Sequence, residues 1–125
     1  MKISTIQKRN NLNEVERVGK VGPGGAYHAY LVRFSSAKVE SNAMAKGGEV
    51  IEFQKGPRNE PDSVCGVLDG DLLEIVRDRL ACFQKGEYFT RENAIALTHI
   101  EEALLWMAKR ADDRAERNVL GTTQK

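Results

Sequence analysis

Arg110 and Arg114 lie four residues apart in "KRADDRAER", so on a helix their guanidinium groups project one turn apart and can converge on a single anion. A guanidinium fork donates bidentate, charge-assisted hydrogen bonds, and the chemistry this spacing serves best is phosphate binding. The same arginines could instead pair with Asp112, Asp113 or Glu116, because exposed ion pairs on helices are common and contribute little. Asn93 is a second feature of interest. It shares the helical-wheel angle of Leu104 and Ala111, so an amide sits on an apolar stripe and needs hydrogen-bond partners wherever that stripe is covered.

Other arrangements carry less. "GKVGPGG" (Gly19 to Gly25) lacks the lysine-plus-hydroxyl ending of a phosphate loop, and no helix follows it, so a structural turn is expected. No pair among His28, His99, Cys65 and Cys82 has metal-ligand spacing. Cys82 adjoins Phe83 in an amphipathic segment, where a small buried thiol is expected rather than a nucleophile served by His99. Both cysteines are expected to be reduced and buried. The chain shows no catalytic constellation, no metal site and no cofactor motif, and a non-enzyme is expected.

The elements that must position Asn93 and the arginines fit into 125 residues, enough for one domain with a core, at 41% hydrophobic and 30% charged. No apolar run approaches the roughly 18 residues of a membrane span, and "MKISTIQKRN" lacks a signal-peptide core; a soluble protein with no membrane partner is expected. A net charge of +1 argues against a protein that coats a nucleic acid polymer. Residues 1–66 hold 10 Lys/Arg against 7 Asp/Glu (+3), and residues 67–125 hold 9 against 11 (−2). Lys109, Arg110, Arg114 and Arg117 therefore gather in an acidic segment, which suggests a confined site rather than a general positive field.

Residues 1–66 read as a strand-rich part. "YHAYLVRF" (Tyr27 to Phe34) follows the turn signal "GPGG", "EVIEFQ" (Glu49 to Gln54) alternates with Ile51 and Phe53 on one face, and a weaker strand covers Leu12 to Val18. Ser35 to Gly48 reads as a polar connection and "KGPRNEPDS" (Lys55 to Ser63) as a loop. Residues 67–125 switch to helical period. Asp69 is a candidate N-cap for a helix carrying Leu72, Val76, Leu80 and Phe83 on one stripe and ending at Gly86. Thr90 caps a second helix from about Arg91 to about Arg117. The short linker "GEYF" predicts an antiparallel hairpin whose longer arm overhangs its partner. The fold class is therefore α+β, a small antiparallel sheet followed by a helical hairpin with one long helix, together a single compact domain.

On the long helix Leu97, Ile100, Leu104, Met107 and Ala111 form the main apolar stripe. Ile95 and Trp106 fall roughly opposite, in a band shared with His99, Arg110 and Arg117. Trp106 could pack under the strands, but a helix apolar on two faces buries both, and self-association through Ile95 and Trp106 is expected.

"GPGGAYHAY", "IEFQKGPRNEPDSVCGV", "LLEIVRDRL", "FQKG" and "RENAIALTHIEEALLWMAKRADDR", in that order, resemble the phage Thoeris anti-defence proteins, whose helical hairpin is shared with the anti-CBASS sponges. The resemblance runs from Gly22 to Thr123, and the strand-rich half favours the anti-Thoeris branch. It implies sequestration without chemistry in the host bacterial cytoplasm. The ligands implied are cyclic ADP-ribose isomers made by TIR-domain proteins, and some relatives also hold cyclic oligonucleotides at separate sites. The family's ring-stacking, polar and phosphate-binding positions match Phe83, Asn93, and Arg110 with Arg114, respectively. The family's usual ending, close to "RGVEGTH", stands here as "RNVLGTT", departing at Asn118, Leu120 and Thr123.

Asn93 and Arg110 are 110 − 93 = 17 residues apart on one predicted helix, which separates them by about 25 Å along its axis. A cyclic nucleotide cannot span that. One ligand can meet all four residues only if Phe83 and Asn93 come from one subunit and Arg110 and Arg114 from another. A homodimer is the minimum this requires, and the resemblance suggests a larger assembly of dimers, such as a hexamer. The alternatives are an enzyme that degrades the same signal, or a structural or regulatory oligomer with no ligand.

Overall fold

The computed structural model describes residues 1–7, 13–34 and 47–117. Leu12, the connection over 35–46, and the tail with Asn118, Leu120, Gly121 and Thr123 lie outside the described residues. The chain divides into two compact units, Met1–Gly56 with Asp62–Gly66, and Pro57–Pro61 with Val67–Lys125.

The first unit is built on a three-stranded antiparallel sheet in the order β1 (Asn13–Arg17), β2 (Ala29–Phe34), β3 (Gly48–Glu52). All three expected strands form. The register pairs Val15 with Val32, and Tyr30 with Ile51, so period-2 alternation puts Val15, Tyr30, Val32, Phe34 and Ile51 on one face. Phe53 continues that face, meeting Tyr30 edge-on with ring centroids 5.8 Å apart. The opposite face carries charge, with Arg33 paired to Glu16 at 2.9 Å. The glycine-rich stretch is a turn, as its composition implies: Pro23–Gly25 forms a short 3-10 segment in which Gly24 and Gly25 have φ of 75° and 79°. His28 closes it, donating from Nε2 to the carbonyl oxygen of Pro23 at 2.9 Å.

The second unit contains α1 (Asp69–Lys85) and α2 (Arg91–Glu116). The cap of α1 differs from the expected one. Leu68, not Asp69, is the N-cap, because Asp71 reaches back and accepts the Leu68 N–H at 2.9 Å, while Asp69 joins the first turn and complements the helix dipole. For α2 the expected cap is observed: Thr90 Oγ1 accepts the Asn93 N–H at 3.0 Å. The helices are antiparallel neighbours, stapled at the turn by a reciprocal pair in which Gln84 Nε2 donates to Thr90 O and Thr90 N donates to Gln84 Oε1, both 3.0 Å. Removing the cap with Thr90→Ala should cost about 1 kcal/mol, read as a lowered urea midpoint with an unchanged slope.

Arg77 on α1 pairs with Glu101 on α2 at 2.9 Å, which marks the register of the hairpin. Counting from that pair, 77 − 69 = 8 and 101 + 8 = 109, so the start of α1 lies level with about Lys109 and α2 continues beyond the end of α1. The overhang expected from the unequal lengths carries Arg110 and Arg114.

The apolar stripe of α1 is rotated from the expected one. Of the expected stripe Leu72 and Leu80 are half-buried, as are Leu73 and Gln84, with Arg77 reaching Glu101, whereas Val76 and Phe83 remain exposed. Successive residues sit about 100° apart, so Val76 and Phe83 lie roughly 90° round the helix from the line of Leu73, Arg77 and Gln84. Cys82 lies about 200° from Leu80 on the same wheel, and it is exposed and free rather than buried. Cys65, also expected to be buried, is likewise exposed and free.

Candidate functional site

Phe83 and Asn93 flank the Gln84–Thr90 staple, Phe83 in the last turn of α1 and Asn93 in the first turn of α2. Both therefore lie at the tip of the hairpin. Asn93 is half-buried, and its backbone N–H is fixed by the Thr90 cap. Phe83 is 40% exposed. Sequence reasoning missed its neighbour: the Arg79 guanidinium lies over the ring, 5.5 Å from the centroid. The signal was available, since Arg79 and Phe83 are one helical turn apart.

Arg110 and Arg114 occupy the other end of α2. They share one side of the overhang and differ in environment: Arg110 is exposed, whereas Arg114 is 7% exposed and is the one buried polar or charged residue among those described. Arg114 lies about 40° from Arg110 on the wheel, displaced toward the covered stripe holding Ala111. Burying a guanidinium is costly without partners, and Arg114 is engaged by its surroundings. Of the acids considered as competitors, Asp113 is taken by Lys109 at 3.4 Å.

The structure does not bring the two pairs together within one chain. α2 is a single continuous helix from Arg91 to Glu116, so the 17-residue separation of Asn93 and Arg110 stands at about 25 Å. Between the two ends runs the second apolar band, with Trp106 69% and Ile95 40% exposed. Leu97, Ile100, Leu104 and Ala111 of the main stripe are half-buried, whereas Met107 is 38% exposed, and the Arg77–Glu101 pair places the neighbouring part of the stripe toward α1. Among the described residues no group of three or more His, Cys, Asp or Glu side chains could hold a metal ion, and no helix is long and apolar enough to cross a membrane.

Residues 47–112 match the family model described as "Acb2/Tad1, hairpin domain", a match that takes in β3, all of α1 and most of α2, and the chain belongs to that family. It is also 42% identical over 91 residues to "Thoeris anti-defense 1" of Bacillus phage SBSphiJ7. That similarity covers 73% of this chain and 63% of the relative, so the chain spans less than two thirds of the curated relative it matches.

Proposed function

We propose that this protein is an anti-Thoeris immune-evasion protein that binds a nucleotide second messenger in the host bacterial cytoplasm and withholds it, uncleaved, from its effector. The ligand class is a cyclic ADP-ribose isomer made by TIR-domain proteins, and a cyclic oligonucleotide at a separate site is a further ligand of the same reading. Family membership and the similarity to a phage anti-defence protein support the biological role. The observation that carries the molecular part is the axial separation of about 25 Å between Asn93 and Arg110 on one unbroken helix, bridged by an exposed Ile95–Trp106 band. Two copies packed antiparallel through that band place the tip of one hairpin beside the overhang of the other. The homo-oligomer, a dimer or an assembly of dimers such as a hexamer, then completes the site.

In that pocket the Arg110 and Arg114 guanidinium groups neutralise the pyrophosphate of the ligand, Phe83 stacks on adenine, and Asn93 hydrogen-bonds a base or ribose edge. Base stacking contributes about 1 to 3 kcal/mol and each hydrogen bond to a charged group about 1.5 to 3, enough for nanomolar affinity after the costs of ordering. A protein that does not turn over its ligand needs such tightness, and it must accumulate to the concentration of the signal.

The test is depletion followed by recovery. Purified protein in molar excess is mixed with a cyclic ADP-ribose isomer, free ligand is measured after ultrafiltration, and the mixture is then heat-denatured and measured again. Ligand that disappears and returns intact is the expected result. Permanent loss would mean an enzyme, and no depletion would mean an oligomer without this ligand; either overturns the proposal.

A further inference from the structure

Arg79 stands in the exposed stripe of α1 with Ile75, Val76 and Phe83 rather than in the stripe that faces α2. The nearby arginine, Arg77, holds Glu74 at 3.7 Å and Glu101 at 2.9 Å, so those two carboxylates are occupied on the other side of the helix. Among the described residues no carboxylate lies within ion-pair distance of Arg79, and its guanidinium rests over the Phe83 ring, 5.5 Å from the centroid. A phenyl ring has two faces. Arg79 occupies one, and the ring remains 40% exposed for a flat partner.

We propose that Arg79 is a positioning residue for the nucleobase, acting through Phe83: it backs the ring from behind, so that the open face is presented for stacking. The proposal rests on the reading of Phe83 as the stacking platform. The physical reason is the ring quadrupole. A cation on one face is attracted to the ring's negative π cloud and draws that density toward itself, which lowers the repulsion between the opposite face and the π cloud of a purine. Arg79 is itself exposed, so its substitution leaves the hairpin folded.

The test is a double-mutant cycle on the full chain, with affinity for cyclic ADP-ribose measured for wild type, Arg79→Ala, Phe83→Ala and the double variant. Arg79→Ala should weaken binding about two- to fivefold and Phe83→Ala at least about tenfold. The double variant should then bind no worse than Phe83→Ala alone. Arg79→Lys should restore part of the loss, and the Arg79 effect should persist at high salt. In the free protein, the Arg79 side-chain methylene protons should be shifted upfield by the ring current and return to ordinary positions in Phe83→Leu. Equal losses from Arg79→Ala in both backgrounds would make Arg79 a remote charge and overturn the proposal, as would no loss at all. Absence of the upfield shift would overturn it independently of any ligand. Wild-type protein that captures nothing while the shift is present would instead refute the ligand reading on which the stacking role depends.

Discussion

Arg110→Ala should abolish capture of the cyclic nucleotide while leaving the helical circular dichroism and the unfolding midpoint of the protein unchanged. Arg110 is exposed on the overhang of α2, beyond the level where α1 begins, so truncation creates no cavity and strands no buried partner. What it removes is one fork of the proposed phosphate clamp. Two charge-assisted hydrogen bonds at about 1.5 to 3 kcal/mol each correspond to an affinity loss on the order of a hundredfold or more. Arg110→Lys keeps the charge and loses the bidentate geometry, so it should fall between the two. Equilibrium dialysis with the ligand is the measurement, and retention of affinity within a few-fold of wild type would move the phosphate site elsewhere. Arg114→Ala is a less clean experiment. At 7% exposure its guanidinium is part of the packing as well as of the proposed clamp, so its removal lowers stability together with binding.

This contrast between two arginines one turn apart shows where sequence reasoning reaches and where it stops. The alternation of Ile51 and Phe53 against Val50 and Glu52 set the inward face of β3, and the register with β2 agrees, because a strand has only two faces to choose between. The "GPGG" turn, the Thr90 cap and the unequal hairpin were legible for a similar reason: each depends on local chemistry that few residue types supply. The rotation of α1 was not. Leu73 competes with Val76 and Phe83 for the partner helix, and each shares helical spacing with the half-buried Leu72 and Leu80. The Arg77–Glu101 pair and the Gln84–Thr90 staple decide between them, and both are contacts between helices that no single-helix wheel contains. The exposure of Cys82 follows from that same rotation, whereas the stacking of Arg79 on Phe83 follows from their spacing of one helical turn. Arg114 escaped for a related reason: a displacement of about 40° from Arg110 is small on a wheel, yet it separates a solvated guanidinium from a buried one.

A site divided between subunits makes a prediction that no single-chain site can imitate. Phe83→Ala removes the tip half and Arg110→Ala the overhang half, so each pure variant should lose capture. Mixed, unfolded and refolded together, they should regain it. In a homodimer with two equivalent sites, random pairing makes about half the molecules mixed, and each mixed dimer has one site with both halves intact, giving about a quarter of wild-type capacity. The affinity of those restored sites should equal that of wild type, since nothing in them has changed. Two substitutions on the same half, Arg110→Ala with Arg114→Ala, should never complement, which controls for refolding artefacts. The proposed seam is the exposed band on α2, where Trp106 and Ile95 lie on the side away from α1. An indole is one of the largest apolar surfaces a side chain can bury on association. Trp106→Glu introduces a charge there and should yield monomers by sedimentation, with helicity kept and capture lost even though all four residues of the proposed site remain. Recovery in the mixture together with loss on dissociation would tie the pocket to the oligomer; a monomer that still captures would place Phe83, Asn93, Arg110 and Arg114 at more than one site.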